Sequence, residues 1–223
     1  MNTVSTEDFS ELYSAHAAGA LDPAFCLMLE TQATLRRDVA EIVTVSESIA
    51  GAMLESENIA TLSAGAESRA LQAIDALEED VPVTIQAIRK ASERLDELVR
   101  LPDPLRDFAL ESCVRGGWKK LTPGVTRLKL DADSSAEVEL YRIEAGRRVP
   151  RHTHNGDEFT LVVSGGFSDG MGSYGPGTIC YKTPHDTHQP VADDDGTCFA
   201  LAISNGGLKF TGVLGLIQRA LGQ

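Results

Sequence analysis

The stretch Gly146-x5-His152-x-His154-x3-Glu158-x6-Gly165 restricts what this chain can fold into more than any other part of it. Two histidines separated by one residue share a face when the backbone is extended, because successive side chains of a strand alternate in direction. A carboxylate four positions further on can join them from the neighbouring strand or turn, and imidazole with carboxylate makes a donor set for a divalent cation. The spacing therefore predicts a metal site in a small β-barrel. A fourth ligand is expected from a later strand, and His185 and His188, in Thr183-Pro-His-Asp-Thr-His-Gln-Pro190, are the candidates.

The rest of the chain divides by period. From Thr6 to about Arg100 it is rich in Ala, Leu and Glu, poor in Gly and nearly free of aromatics, which suits helices. A first helix is expected from Thr6 to a stop at Gly19. Asp22-Pro23 supplies a cap and a first-turn proline for a long second helix, whose apolar seam reads Phe25, Met28, Leu35, Val39, Ile42, Ile49, Met53 and is expected to be packed. Further helices are expected over 66–79 and 83–100. Leu101-Pro-Asp-Pro-Leu105 cannot lie inside a helix, so the domain boundary is placed there. This gives a helical domain over 1–100, a linker over 101–107 and a β domain over 108–223. In the last, Val125–Leu130, Ala136–Ile143, Glu158–Val163, Gly177–Lys182 and Cys198–Ile203 are strand-like runs between Gly, Asp or Pro clusters. The fold class expected is α+β and multidomain: helices first, then an all-β jelly-roll barrel. Phe210–Leu221 is expected to close the chain as an apolar-faced segment against the barrel.

Charge narrows the partners. The chain carries 33 acidic and 20 basic side chains, and the excess sits in residues 1–100, with 18 acidic against 7 basic. A net charge of −13 disfavours a nucleic-acid surface and anionic membranes, and favours a basic partner or none. No run approaches the ~20 apolar residues that span a bilayer. Cys26, Cys113, Cys180 and Cys198 are scattered without a paired spacing, which points to free thiols in a reducing compartment, the cytoplasm.

The stretch from Gly146 to Gly165 resembles the first motif of the cupin superfamily, G-x5-HxH-x3-E-x6-G, at every position. Gly177 and His188 match the first glycine and the histidine of the second cupin motif, where Thr183, His185 and Ala192 replace the usual Pro, Gly and Asn. The resemblance implies one divalent metal held by His152, His154, Glu158 and His188, with His185 a neighbour. Zinc is implied by the family alone, since the donor chemistry suits Fe(II), Mn(II), Ni(II) and Cu(II) equally. The whole chain further resembles the cupin-containing anti-sigma factors of the ChrR type, through Ala17-Ala-Gly-Ala-Leu21, Gly117-Trp118, Pro123-Gly124-Val125 and Phe210-Thr-Gly-Val-Leu214. That resemblance implies a helical domain that sequesters an ECF-type sigma factor and a cupin domain needed for the response to singlet oxygen or related oxidants. It also implies a homodimer through the cupin sheets.

One departure matters. The His-x3-Cys-x2-Cys zinc motif usual in the helical domain of that family falls here on Gln32, Arg36 and Val39, none of them an ordinary thiolate or imidazole ligand. No N-terminal zinc is expected, and packing is expected to replace it. The reading from another class is a metal-dependent cupin enzyme, such as a small-molecule dioxygenase, with Tyr141, Phe159, Tyr181 and Cys180 as pocket-lining candidates. No catalytic residue is recognisable.

Overall fold

The computed structural model describes residues 10–77, 95–205 and 208–210. Helix α1 (Ser10–Ala17) ends before Gly19, which adopts a left-handed φ of 66° as expected of a helix stop. Helix α2 (Pro23–Leu35) begins as its sequence predicts, with Oδ1 of Asp22 accepting from the backbone N–H of Ala24 and Pro23 in the first turn.

The single long second helix is not found. The chain breaks at Arg36, whose backbone is extended (φ −132°, ψ 114°), and restarts as α3 (Arg37–Glu55). Asp38 accounts for the restart: its carboxylate accepts from the Arg36 guanidinium and from the backbone N–H of Val39 at the positive end of α3. The break lets α3 fold back against α1 and α2. The expected packed seam accordingly stops early. Val39 is fully buried, but Ile49 and Met53 are 58% and 66% exposed, with Val45 and Leu54 open beside them.

Helix α4 (Ala66–Leu77) matches the expectation for 66–79, and its Leu71 and Ile74 are also exposed. Most of the helix expected over 83–100 lies outside the described residues; its end forms the turn α5 (Leu95–Leu98). The two prolines of 101–105 interrupt the helical pattern, yet Leu101 and Leu105 are buried, so this segment is packed. A helix the sequence reading missed follows at once, α6 (Leu105–Arg115), with Leu105, Ala109 and Cys113 buried one turn apart. Its signals were legible: Pro104 just before it, Asp107 in the first turn and Arg115 in the last.

The β domain contains β1 (Lys119–Thr122), β2 (Val125–Leu130), β3 (Glu137–Ile143), β4 (His152–His154), β5 (Glu158–Ser164), β6 (Phe167–Ser168), β7 (Ser173–Tyr174), β8 (Ile179–Lys182), β9 (Val191–Ala192), β10 (Cys198–Ser204) and β11 (Leu208–Phe210). One sheet runs in the order β1-β2-β3-β10-β5-β8, with each neighbouring pair antiparallel. The facing wall is made of the short sheets β11-β4 and β7-β6-β9. The expected closing segment lies outside the described residues beyond Phe210.

Alternation divides the large sheet between two cores. Leu128, Leu130, Val138, Leu140, Leu161, Val163, Leu201 and Ile203 pack outward with Leu27, Met28, Leu98, Leu105 and Ala109 of the helices. Val125, Tyr141, Ile143, Val162, Cys198, Ala200 and Ala202 point into the barrel. Every residue of β10 is buried, because helices cover one face and the barrel wall the other. Each large aliphatic side chain so buried contributes about 1.5–3 kcal/mol, which ties the helices to the barrel. Phe25 of α2 adds an edge-to-face contact with Phe159 of β5, ring centres 5.2 Å apart. The four cysteines are free, and no helix among the described residues is long and apolar enough to cross a membrane.

Candidate metal centre

His152 and His154 lie on β4 and Glu158 opens β5, all three buried. Glu158, Thr160 and Val162 share the inward face of β5, so strand alternation aims the carboxylate at the imidazoles. Gly165 closes the motif with a left-handed φ of 65°, and a Cβ there would stand 2.6 Å from the carbonyl oxygen of Thr197, which makes glycine obligatory at this turn. The loop 183–188 is shaped by Asp186, whose Oδ2 accepts from the backbone N–H and hydroxyl of Thr183. Thr153, the outward residue between the two histidines, fastens that loop by sharing its one hydroxyl proton between the carbonyls of Pro184 and Asp186. Reciprocal backbone hydrogen bonds between His152 and His188, 3.1 and 3.0 Å, then set His188 beside the pair. His185 stays exposed on the loop.

Ligand atoms of His152, His154, Glu158 and His188 all lie within 4.8 Å of one another. Nε2 of His188 is 3.0 Å from Nε2 of His152 and 3.2 Å from Nε2 of His154. Imidazole nitrogens about 2.0–2.1 Å from one ion stand roughly 2.9 Å apart at a right angle and roughly 3.4 Å apart at the tetrahedral angle, so the observed separations fit a shared cation. Proton positions argue the same way. Nδ1 of His152 is 2.7 Å from the carbonyl oxygen of Pro150, and Nδ1 of His188 is 3.1 Å from Oδ2 of Asp169. Both acceptors require the ring to donate at Nδ1, so each neutral ring presents a bare lone pair at Nε2. Two lone pairs facing each other at 3.0 Å repel unless a cation lies between them.

Burial, reinforced by His188, pushes the His152 imidazole down to about 4, which keeps it in the neutral form that can ligate a metal. Burial alone would raise the Glu158 carboxyl, but the His154 contact and the other imidazoles outweigh it and hold the group below the usual carboxylate range. Nδ1 of His154 stands 3.4 Å from Oε2 of Glu158 without the alignment of a hydrogen bond. Thr160 steadies the other carboxylate oxygen, donating to Oε1 at 3.0 Å.

Two residues the sequence reading missed support the cluster from behind. Asp169 and Lys182 form a buried ion pair, Nζ to Oδ2 2.9 Å, and the same Oδ2 holds Nδ1 of His188. Oδ1 of Asp169 accepts from the backbone N–H groups of Met171 and Gly172. Burial opposes ionisation of both partners, but hydrogen bonds outweigh it: those from His188 and Lys182 hold Asp169 well below its ordinary range, and the bond to Asp169 holds Lys182 well above its own. The Asp169-Gly170 turn signal was readable, as was a lysine in phase with inward-facing Cys180, but nothing local joins them to His188.

A cavity of about 30 Å³ adjoins the ligands, lined by Tyr141, Ile143, Val149, Phe167, Ala200 and Ala202. It has room for a molecule the size of water. Of the pocket-lining candidates, Tyr141 reaches this cavity and donates to Glu139. Cys180 is buried in the barrel core with its thiol pushed up to about 11 by burial. Phe159 and Tyr181 instead stack on each other, ring centres 4.8 Å apart, on the face turned to Phe25.

At the positions where a helical-domain zinc motif would fall, Val39 is fully buried, and buried Gln32 donates from Nε2 to the carbonyl of Gly177 at 2.9 Å. Arg36 packs over the same glycine, where a Cβ would come within 2.5 Å of its Cγ. Gln32 and Arg36 thus fasten the end of α2 to the barrel turn before β8.

Comparison with known proteins agrees with both halves. Residues 112–205 match the family described as the ChrR cupin-like domain. The anti-sigma-E factor ChrR of Cereibacter sphaeroides is 30% identical over 203 residues, covering 91% of each chain. The crystal structure of Rhodobacter sphaeroides SigE in complex with the anti-sigma ChrR superposes with a TM-score of 0.64 at 29% identity, covering 87% of this chain and 96% of that one. The likeness runs through the helices as well as the barrel, and the chain belongs to the ChrR family of cupin-containing anti-sigma factors.

Proposed function

We propose that this chain sequesters an ECF-type sigma factor in the cytoplasm through residues 1–100. Residues 101–107 connect that part to a cupin over 108–223, which holds one divalent cation with His152, His154, Glu158 and His188. The observation that carries the reading is the likeness to an anti-sigma factor over 91% of the chain, helices included. The helical surface supports it. Val45, Ile49 and Met53 recur every four residues along α3 and, like Leu54 beside them and Leu71 and Ile74 of α4, are exposed apolar side chains among the described residues. Apolar patches on a soluble chain mark contact surfaces. The acidic surround of residues 1–100 suits a partner with basic, polymerase- and DNA-facing surfaces.

The cation's place in this reading is structural or sensory, and zinc is the metal expected from the family. The water-sized cavity beside the ligands favours this over a substrate-transforming cupin, because an enzyme's pocket must enclose its substrate. When bound, the cation would supply Lewis acidity and a rigid crosslink between β4, β5 and the 183–188 loop. The protein holds the rings in the ligating tautomer through Pro150 and Asp169. Co-expression with the sigma factor encoded beside this chain tests the proposal. A stable one-to-one complex that requires residues 1–100 is expected. Failure to co-purify, with oxygen consumption by the metal-loaded chain, would establish the enzyme instead. Self-association through the barrel is part of the same proposal, read out by light scattering.

A further inference from the structure

Met171 is 40% exposed, on the turn between β6 and β7. Its sulfur is nonetheless part of the buried network behind the ligand cluster. Nζ of Lys182 donates to Sδ of Met171 at 3.3 Å, to Oη of Tyr174 at 3.4 Å and to Oδ2 of Asp169 at 2.9 Å. Those three acceptors use all the protons of the ammonium group. Oδ2 of Asp169 in turn fixes Nδ1 of His188. The thioether of a part-exposed residue is thus two hydrogen bonds from the group that orients a candidate ligand.

We propose that Met171 is an oxidation site whose sulfoxide loosens the metal, an inference that rests on the metal-binding reading above. With hydrogen peroxide as the oxidant, a sulfur lone pair attacks one peroxide oxygen and the O–O bond breaks. The S=O bond forms as the proton of the transferred oxygen passes to the departing one, which leaves as water. Sulfur loses two electrons and the peroxide gains them. The product replaces a weak sulfur acceptor with a strong oxygen acceptor at the same turn. That oxygen competes with Asp169 for the Lys182 ammonium and pushes a polar atom into the network. Asp169, released from Lys182, no longer holds His188 in one orientation. Partners of this kind change metal affinity by roughly 10–100-fold when disturbed. Of the other two methionines among the described residues, Met28 is buried in the helical core and Met53 lies far along the chain on the α3 face, so neither reports on the ligands.

The test uses the full-length, metal-loaded chain, treated with graded hydrogen peroxide. Peptide mass spectrometry follows the gain of one oxygen at Met171, and a colorimetric chelator follows metal release. Release is expected to accelerate at least about tenfold as Met171 is converted. The ratio of rates after and before peroxide should fall to near one in Met171→Leu, while Met171→Gln, which offers an amide oxygen, should release quickly without peroxide. Equal peroxide-driven release from wild type and Met171→Leu would overturn the proposal, as would full conversion of Met171 with no change in rate. A chain that binds no metal before treatment would overturn this proposal and the metal reading together, which separates the two failures.

Discussion

Replacing Asp169 with Asn changes one atom behind the cluster and has two separable consequences. Oδ1 of Asp169 accepts from two backbone N–H groups, so the amide of Asn should keep its oxygen there and turn its NH2 toward His188 and Lys182. Donors then face donors: the Nδ1–H of His188 loses its acceptor, and the ammonium of Lys182 loses the charged one of its three. Lys182 is 1% exposed and cannot recover water. Removing one partner of such a buried pair costs about 3–5 kcal/mol. The His188 ring, no longer held at Nδ1, should bind metal roughly 10–100-fold more weakly. Urea unfolding of the metal-free chain reads the first effect, and competition with a chelator of known affinity reads the second. Asp169→Asn combined with Lys182→Met should recover most of the stability, since no unpaired ammonium is left buried, but none of the metal affinity. Unchanged metal affinity in the single variant, or full recovery of it in the double one, would refute the reasoning that Asp169 orients His188.

Other expectations follow from the same geometry. His188→Ala should abolish metal binding while His185→Ala leaves it intact by elemental analysis, and loaded wild type should contain one metal per chain rather than two. The metal-free chain should lose stability in acid: His152 is near 6.5 when unfolded and about 4 when folded, so protons favour the unfolded state as the pH drops below about 6.5, levelling off near 4. Denaturant midpoints between pH 7 and 4 that do not move would contradict this. Gln32→Leu leaves the Gly177 carbonyl without its donor inside the helix–barrel interface and should cost about 1–3 kcal/mol by chemical denaturation. Ile49→Asp on the exposed face of α3 should remove sigma-factor capture in a pull-down while shifting stability by less than about 0.5 kcal/mol.

Much of this molecule was readable because the relevant physics is local. A strand's alternation places His152 and His154 on one face whatever surrounds it, Asp22-Pro23 starts a helix wherever it occurs, and two prolines in five residues end one. The reading went astray where a local pattern has two outcomes. An apolar seam from Phe25 to Met53 specifies an amphipathic face, but the break at Arg36 decides which part of it this chain covers. Helix α6 was hidden by its prolines, although its caps and four-residue spacing were in view.

What the residues alone determined is the division into helices then strands, and a donor set of two imidazoles and one carboxylate, since both depend on neighbours a few positions apart. The spacing left His185 and His188 both open, and only the motif resemblance favoured His188; the tertiary fold brings His188 to that set, stands Asp169 and Lys182 behind it, and lets Gln32 reach Gly177. Each of those contacts joins residues that the chain brings together only by closing the barrel and docking α2 on it. No periodicity encodes a distance of that kind, because it is fixed by how whole elements pack.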